Sequence, residues 1–350
     1  MTASSMLLPD TEVTAYEREL AAHLGVAHVV AVSSGTAALH TGLDAVNVGP
    51  GDEVLVPALA VVMSAAPIVH LGARPVFVDC NLAGTDFDYD DLNRKTSEHT
   101  TAVLPVYLWG RAGDPARLRH FAHDRDLSIV ADACQALGTT VNGAQAGTQA
   151  TIGCYSTHHL KLLSTGEGGF LTTDDNDLAA RARAYRGHWL TPPPGHQPLT
   201  RLAHNFRLAE VLAAIGRREL ARVEALIQQR IEQTTLLLER LTDVPPLRPA
   251  AQPAGQRWNA YAPLLHLHLP RPRQFSRHLA KLGVPNSTGT FNLVPLDQRP
   301  MFTGDTPPCT TAAVVLDGIL AVILTRHDDD QRIRRYAETI AREAIRWASA

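Results

Sequence analysis

An acidic residue and a lysine, 29 positions apart, are the side chains in this sequence that point most directly to chemistry. Asp132 follows the apolar run 129–131, and Lys161 lies shortly before the glycine-rich stretch 166–169. A carboxylate at the end of a buried strand can keep a pyridine nitrogen protonated, and a lysine beside such a loop can form a Schiff base with an aldehyde. Pyridoxal phosphate needs both groups from its protein, so the pair predicts a site for this cofactor.

A third segment offers what the phosphate of such a cofactor needs. The stretch 33–39 follows an apolar run and opens a helix, so it supplies free backbone N–H groups, with Gly35 for close approach and the hydroxyl of Thr36. Each segment alone has an ordinary explanation, because the stretch 33–39 and Asp132 can simply cap helices and Lys161 can be a surface residue. Taken together, the three segments match a single cofactor site.

The elements that must position these residues form an alternating pattern between about residues 11 and 175. Nearly continuous apolar runs separated by helical patterns predict a mainly parallel sheet covered on both faces, and therefore an α/β domain. Ligands of such sheets bind beyond the carboxyl ends of the strands, which is where Asp132 falls. The apolar runs are 29–32, 53–57, 75–79, 101–106 and 127–130.

The later part of the chain is organised differently. A long amphipathic pattern over 208–241 predicts one or two helices leading towards a second domain. We expect a large cofactor-binding domain over 1–240 and a small α+β domain over 241–350. The small domain is predicted to contain a strand at 262–269 and helices at 273–282 and 329–347.

Charge, cysteine content and hydropathy narrow the classes of function. The formal net charge is -3, from 32 basic and 35 acidic residues without a long run of one sign, which argues against nucleic acid or a membrane as partner. Four cysteines at wide spacings without a Cys-x-x-Cys pair argue against a zinc site and a disulfide scaffold, and we expect no metal. No segment has the ~18 uninterrupted apolar residues of a membrane span, and the start does not resemble a signal peptide. We therefore expect a cytoplasmic protein that acts on small molecules.

Three motifs resemble those of a known family. The stretch 34–39 is similar to its Ser-Gly-Thr-Ala-Ala-Leu, the stretch 49–54 to its Gly-Pro-Gly-Asp-Glu-Val turn, and the stretch 161–169 to its lysine and Gly-Glu-Gly-Gly loop. On these motifs the chain resembles the DegT/DnrJ/StrS family of pyridoxal phosphate aminotransferases, most closely from residue 12 to about residue 230. The resemblance implies a fold type I architecture and transfer of an amino group from glutamate or glutamine to a keto-sugar or keto-cyclitol, the sugars being mainly nucleotide-linked.

The resemblance also implies roles for individual residues. Lys161 would form the Schiff base, Asp132 would bond the pyridinium nitrogen, and Gln135 would lie near the ring hydroxyl. Asn205 belongs to a segment similar to the family's x-Asn-Tyr-Arg-Met, whose asparagine reaches the phosphate in the neighbouring subunit's site, and this implies a homodimer with shared active sites. The residues implied to hold the phosphate within one subunit are Gly35, Thr36 and Ser156.

The sequence departs from the family at several positions. Leu59 and Val61 replace aromatic residues near the cofactor ring, which removes a contact worth roughly 0.5 to 1.5 kcal/mol. His159 is unexpected beside the frequent family histidine at His158. These departures leave two alternatives open, an elimination or dehydration enzyme with the same cofactor and a non-catalytic regulator that binds it. Substrate contacts are expected to differ where Asp297 and Arg299 replace a histidine and a glutamine.

Overall fold

The structure is a computed structural model that describes residues 11–288, 293–302 and 307–349. The strands are β1 (His28–Val32), β2 (Glu53–Pro57), β3 (Arg74–Val78), β4 (Thr100–Val103), β5 (Ser128–Asp132), β6 (Thr140–Val141), β7 (Ala144–Gln145), β8 (Ile152–Ser156), β9 (Gly169–Thr173), β10 (Leu247–Pro249), β11 (Gln256–Arg257), β12 (Leu264–Leu267), β13 (Asn286–Ser287) and β14 (Ile319–Val322). The α-helices are α1 (Thr11–Leu24), α2 (Gly35–Ala45), α3 (Val62–His70), α4 (Tyr89–Lys95), α5 (Pro115–His123), α6 (Asn176–Arg186), α7 (Glu210–Leu220), α8 (Val223–Glu239), α9 (Pro272–Lys281), α10 (Thr310–Asp317) and α11 (Asp330–Ala348).

The central sheet has seven strands in the order β1-β9-β8-β5-β4-β2-β3. β9 runs antiparallel to both of its neighbours, and the other pairs are parallel. Every residue of β2 is buried, as expected for a strand with helices on both faces of its sheet. The predicted mainly parallel α/β sheet is therefore confirmed.

One edge of this sheet brings the predicted motifs together. β1, β5 and β8 point the same way, so their carboxyl ends meet there, and the antiparallel β9 begins at the same edge. A Cβ at Gly169, the first residue of β9, would lie 2.6 Å from the carbonyl carbon of Ser34. Only glycine fits at this approach, and the glycine-rich loop is thereby held against the start of α2.

The second half of the chain builds a smaller sheet in the order β10-β12-β14-β13, with every pair antiparallel. The predicted strand and helices of this region correspond to β12, α9 and α11, and the amphipathic pattern before them folds as two helices, α7 and α8. Apolar residues of α8, α9 and α11 form one core with the sheet, including Leu237, Phe275, Leu279, Ile333 and Ile340.

The two parts of the chain are joined by contacts on both sides of residue 240. β11 pairs with β6, so residues 256–257 extend a small sheet that begins in the earlier part. The carboxylate of Asp79, just after β3, accepts hydrogen bonds of 2.8 Å from the backbone N–H groups of Thr311 and Ala312 in α10. The division into 1–240 and 241–350 stays a prediction. In the ranges that the structure describes, no helix combines the length and apolar content of a membrane span.

Candidate active site

The start of α2 forms a cradle for an anion. The Ser34 hydroxyl caps the helix by accepting from the N–H of Ala37 at 3.0 Å, while the N–H groups of Gly35 and Thr36 have no acceptor among the described residues. A Cβ at Gly35 would lie 2.8 Å from the Cβ of Ser156 and 2.9 Å from the Sγ of Cys134, so the lack of a side chain there lets α2 approach β8. Free N–H groups at a helix N-terminus favour phosphate binding.

Asp132 ends β5 as a buried carboxylate. One of its oxygens accepts a hydrogen bond of 2.6 Å from the Ser64 hydroxyl, and the other accepts one of 3.1 Å from the backbone N–H of Cys134. Asp132 is 4% exposed, and within the described ranges no lysine, arginine or histidine forms an ion pair with its carboxylate. A buried carboxylate without a cation is unfavourable on its own, and it suits a cationic ligand.

The thiol of Cys134 stands next to this carboxylate and the lysine. Burial raises the pKa of Cys134 well above its usual value, and the charge of Asp132 adds to the effect. The thiol therefore stays protonated at neutral pH and has little nucleophilic character.

The Lys161 amine reaches a residue from the other half of the chain. Its Nζ donates a hydrogen bond of 3.2 Å to the Tyr261 hydroxyl and lies 5.0 Å from the centroid of that ring. The backbone N–H of Tyr261 donates to the side-chain oxygen of Asn259 at 3.0 Å, which fixes the start of the segment. Tyr261 was not predicted from the sequence, since it lies 100 positions from Lys161 and belongs to no recognised motif.

The side chain of Gln135 is fixed by a hydrogen bond with the backbone of another segment. Its side-chain oxygen accepts from the N–H of Trp109 at 2.7 Å, and Gln135 itself is buried. Trp109 is fully buried and has a positive φ of 59°. Because the amide oxygen is already engaged, the amide NH₂ is the part of Gln135 left to contact a ligand.

These groups surround one cavity of about 310 Å³. This volume falls within the range of ~300 to 1,000 Å³ that is usual for ligand pockets. Six of the seven predicted cofactor residues line it, namely Gly35, Thr36, Asp132, Gln135, Ser156 and Lys161.

Asn205 is the predicted residue that does not line this cavity. It is exposed, and its backbone is bridged to Gly187. The next residue, Phe206, accepts a hydrogen bond of 2.8 Å from the N–H of Ser33, so this segment passes beside the entrance to α2.

The residues that differ from the family lie at different positions relative to the cavity. Val61 lines the cavity, whereas Leu59 is buried and does not. Val61, Met63 and Val106 are aliphatic lining residues, and Tyr107 and His158 contribute aromatic rings to the lining. Asp297 and Arg299 do not line it, and an oxygen of Asp297 accepts from the N–H of Cys309 at 2.9 Å.

His158, His159 and Glu167 form a cluster at the mouth of the cavity. Their potential ligand atoms lie within 4.8 Å of one another, and His158 and Glu167 line the cavity. Burial lowers the pKa of His158, and the charges of His159 and Lys161 lower it further. These residue types bind transition metals, although His159 and Glu167 are exposed. The absence of a metal site stays a prediction.

The residues around the cavity fit pyridoxal phosphate. Gly35 cannot be replaced by a larger residue without a clash, the buried carboxylate of Asp132 has no cation as partner among the described residues, and Lys161 lines the same cavity with its amine bound to Tyr261. A lysine, a strand-end carboxylate and a helix N-terminus at the carboxyl edge of a mainly parallel sheet define an enzyme of the fold type I pyridoxal phosphate class.

The chain belongs to the DegT/DnrJ/EryC1/StrS aminotransferase family, whose sequence profile matches residues 2–340. Among curated relatives, a GDP-perosamine synthase from Caulobacter vibrioides is 36% identical over 210 residues, which are 60% of this chain and 56% of that protein. The matched part of the chain thus spans little more than half the length of that relative.

Solved structures match over nearly the whole chain. The aminotransferase TlmJ from Streptoalloteichus hindustanus superposes with a TM-score of 0.88 at 28% identity, covering 97% of this chain and 92% of that one. A putative sugar aminotransferase from Streptococcus pneumoniae, solved in its PLP form, has a TM-score of 0.87 at 25% identity and covers the same proportions, 97% and 92%. These comparisons confirm the predicted family, its enzyme class of pyridoxal phosphate-dependent aminotransferases, the fold class and the cofactor.

Proposed function

We propose that this protein transfers an amino group from glutamate or glutamine to a keto-sugar carried on a nucleotide, or to a keto-cyclitol, in the biosynthesis of sugars or secondary metabolites. The observation that carries the proposal is the single cavity lined by Lys161, Asp132 and the start of α2. The relative from Caulobacter vibrioides, named as a GDP-perosamine synthase, supports a nucleotide-linked sugar as the acceptor.

The cofactor supplies an aldehyde that accepts the amine and a protonated pyridine ring that withdraws electrons. The protein residues then have separate tasks. The free N–H groups of Gly35 and Thr36 and the Ser156 hydroxyl would bind the phosphate, and Asp132 would keep a proton on the pyridine nitrogen. Lys161 Nζ would attach the cofactor covalently and, when free, would act as the base for the proton on the α-carbon of the donor.

Tyr261 gives the released amine of Lys161 a defined position. Its hydroxyl accepts the hydrogen bond of 3.2 Å from Nζ, so the amine does not swing freely into solvent. A general base acts efficiently only when it stays within reach of the proton that it removes. Tyr261 therefore acts through Lys161 as a positioning residue.

The proposal includes a homodimer in which Asn205 contributes to the site of the partner subunit. Three large apolar side chains near Asn205 in sequence are exposed in the single chain: Leu199 at 68%, Leu202 at 95% and Val211 at 66%. Exposed apolar side chains that form a contiguous patch mark sites of protein contact, and the proposal places these three in the subunit interface. The four cysteines are free, which agrees with a cytoplasmic location.

A matched pair of lysine variants tests the proposed reaction. Lys161→Ala should abolish amine transfer, because it removes both the covalent attachment and the base, while Lys281→Ala, at the exposed end of α9, should leave it unchanged. The measurement is mass spectrometry of the product formed from a nucleotide-linked keto-sugar and ¹⁵N-glutamate.

Borohydride reduction followed by peptide mapping checks the attachment directly and should recover the cofactor on Lys161. Full turnover by the Lys161→Ala protein would contradict the assignment. A product that has lost water without gaining ¹⁵N would instead identify the elimination alternative, and cofactor binding without any turnover would identify the regulator.

A further inference from the structure

A second cavity, of about 270 Å³, also borders Lys161. It is enclosed by residues 159–162, by one face of α8 and by residues 323–327 after β14. Lys161 lines both cavities, and Tyr261, which binds its amine, lines this second one. A ligand held in the second cavity would therefore lie beside Lys161 and Tyr261, whereas the start of α2 lines only the first cavity.

Apart from the phenol of Tyr261, the titratable side chains that line this cavity are all basic. No aspartate or glutamate is among the lining residues within the described part of the chain. Three acids lie close to these lining residues: Asp328 accepts from the Thr325 N–H at 2.6 Å, Glu219 pairs with Arg326 at 3.1 Å, and a carboxylate oxygen of Glu167 lies within 4.8 Å of a ring nitrogen of His159. The cavity thus favours an anion. Its basic lining residues are His159, Lys161, Arg230, Arg326 and His327.

Arg230 is the cation best placed to hold that anion. Its Nη1 donates to the backbone oxygen of Tyr261 at 3.1 Å, and its Nε donates to the side-chain oxygen of Gln233 at 3.3 Å. These bonds fix the guanidinium plane, whereas Nη2 donates to no acceptor in the described ranges. Burial lowers the pKa of Arg230, but an arginine keeps its charge under such conditions.

The volume of the cavity limits the size of the ligand. At ~30 Å³ for each water molecule, the cavity holds about nine of them. An amino acid such as glutamate is smaller than this volume, whereas a nucleotide-linked sugar has several times as many atoms. The apolar side chains of Leu226 and Ile323, which also line the cavity, suit the aliphatic part of an amino acid.

We propose that this second cavity binds the amino donor, with Nη2 of Arg230 donating to one of its carboxylate groups. The inference rests on the proposed aminotransferase function and assigns the donor a subsite separate from the start of α2. Tyr261 links the two, because its backbone oxygen orients Arg230 while its hydroxyl holds the Lys161 amine. Donor binding and the position of the base are thereby set by the same residue.

The test uses glutarate, a dicarboxylate that has no amine to react. Isothermal titration calorimetry on the cofactor-loaded protein should show glutarate binding that Arg230→Gln weakens about ten- to hundredfold, the usual size of a charge-assisted hydrogen bond. The half-reaction with glutamate, followed by cofactor absorbance, should show a similar rise in KM. The half-reaction with the keto-sugar should keep its KM.

Two further variants control for folding and for charge. Ile323→Trp leaves Arg230 in place but fills the cavity from a side chain that is 39% exposed, so it should also abolish glutarate binding while the melting temperature stays unchanged. Arg240→Gln removes a positive charge at the exposed end of α8, away from the cavity, and should not change glutarate binding.

Glutarate binding that is unchanged in both Arg230→Gln and Ile323→Trp would overturn the proposal. The proposal would also be overturned if Arg230→Gln weakened the binding of a nucleoside diphosphate but not that of glutarate, since the cavity would then bind the acceptor. A third outcome separates the subsite from the reaction. If the wild-type protein bound glutarate but transferred no amine, and Arg230→Gln weakened glutarate binding, the subsite would be supported and the proposed reaction would be refuted.

Discussion

Asp132 shows how much of the site depends on one side chain. Removing a carboxylate from water costs several kcal/mol unless hydrogen bonds or a cation compensate. Asp132 has two hydrogen bonds, from Ser64 and from the backbone of Cys134, and no basic side chain pairs with it among the described residues. Under the proposed function, a protonated pyridine nitrogen of the cofactor would provide the missing cation.

We expect Asp132→Asn to lower kcat about 10²- to 10³-fold, the usual effect of removing a charge that stabilises the transition state. The variant keeps the size of the side chain and its bond with Ser64, so the melting temperature should not fall. Ser64→Ala is the matched control, because it removes one hydrogen bond and leaves the charge; it should lower kcat only about fivefold. Equal turnover in Asp132→Asn and wild type would refute the role of Asp132.

The sequence predicted those site residues that lie in local motifs. Asp132, Lys161 and Gly35 each follow or precede a strand in a pattern that is recognisable along the chain, and all three line the cavity. Ser64 and Tyr261 reach the same residues from positions 68 and 100 residues away. Their proximity results from the packing of separate elements, and no spacing in the sequence signals it.

Among the elements, helix α2 has two roles, one in the protein core and one in the site. It is buried at Gly35 and from Ala37 to Ala45, and its first turn also forms the phosphate cradle. The burial includes His40, whose Nδ1 lies 3.2 Å from the Tyr185 hydroxyl and whose ring meets that of His204 edge-on at 5.1 Å. The helix therefore carries a titratable group inside the protein core.

This histidine should make stability depend on pH. Burial lowers the pKa of His40 to about 4, and the charges of His204 and His70 contribute. In the unfolded chain His40 takes up a proton below about pH 6.5. Its contribution is thus fully present above that pH and is lost as the pH falls towards 4, by on the order of 2 kcal/mol.

Urea unfolding at several values between pH 7.5 and 4.5 measures this loss as a decrease in the free energy of unfolding. His40→Gln, which cannot titrate, should flatten the slope in the same interval, and its own stability at pH 7.5 serves as the reference. The same slope in both proteins would show that other groups cause the dependence.

The elements differ in how well the sequence predicted them. Five strands of the central sheet have nearly continuous apolar runs, so their existence follows from composition. The antiparallel direction of β9 depends on the loop that contains Lys161, and no periodicity encodes direction. The two-residue strands β6, β7 and β11 are too short to show any period, so the sheet that they form across residue 240 was not predicted.

For the whole molecule, Asn205 poses the main question. The single chain gathers six of the predicted cofactor residues into one cavity and leaves Asn205 exposed outside it. A residue that acts only on the partner subunit has this location, and the exposed Leu199 and Leu202 nearby give the segment an apolar surface. The proposed dimer therefore predicts a result that differs from that of any arrangement within one subunit.

Subunits carrying Lys161→Ala and subunits carrying Asn205→Ala should complement each other when co-expressed with different tags. The hybrid dimer has one site that combines Lys161 of one chain with Asn205 of the other, so purified mixtures should regain roughly a quarter of the wild-type activity at random assortment. If Asn205 acted within its own chain, no site of the hybrid would be intact, and activity would stay at the level of the separate variants. The reciprocal control pairs wild-type chains with chains carrying both substitutions: there the shared arrangement predicts a weakened site in the hybrid, whereas an arrangement within one chain predicts an intact one.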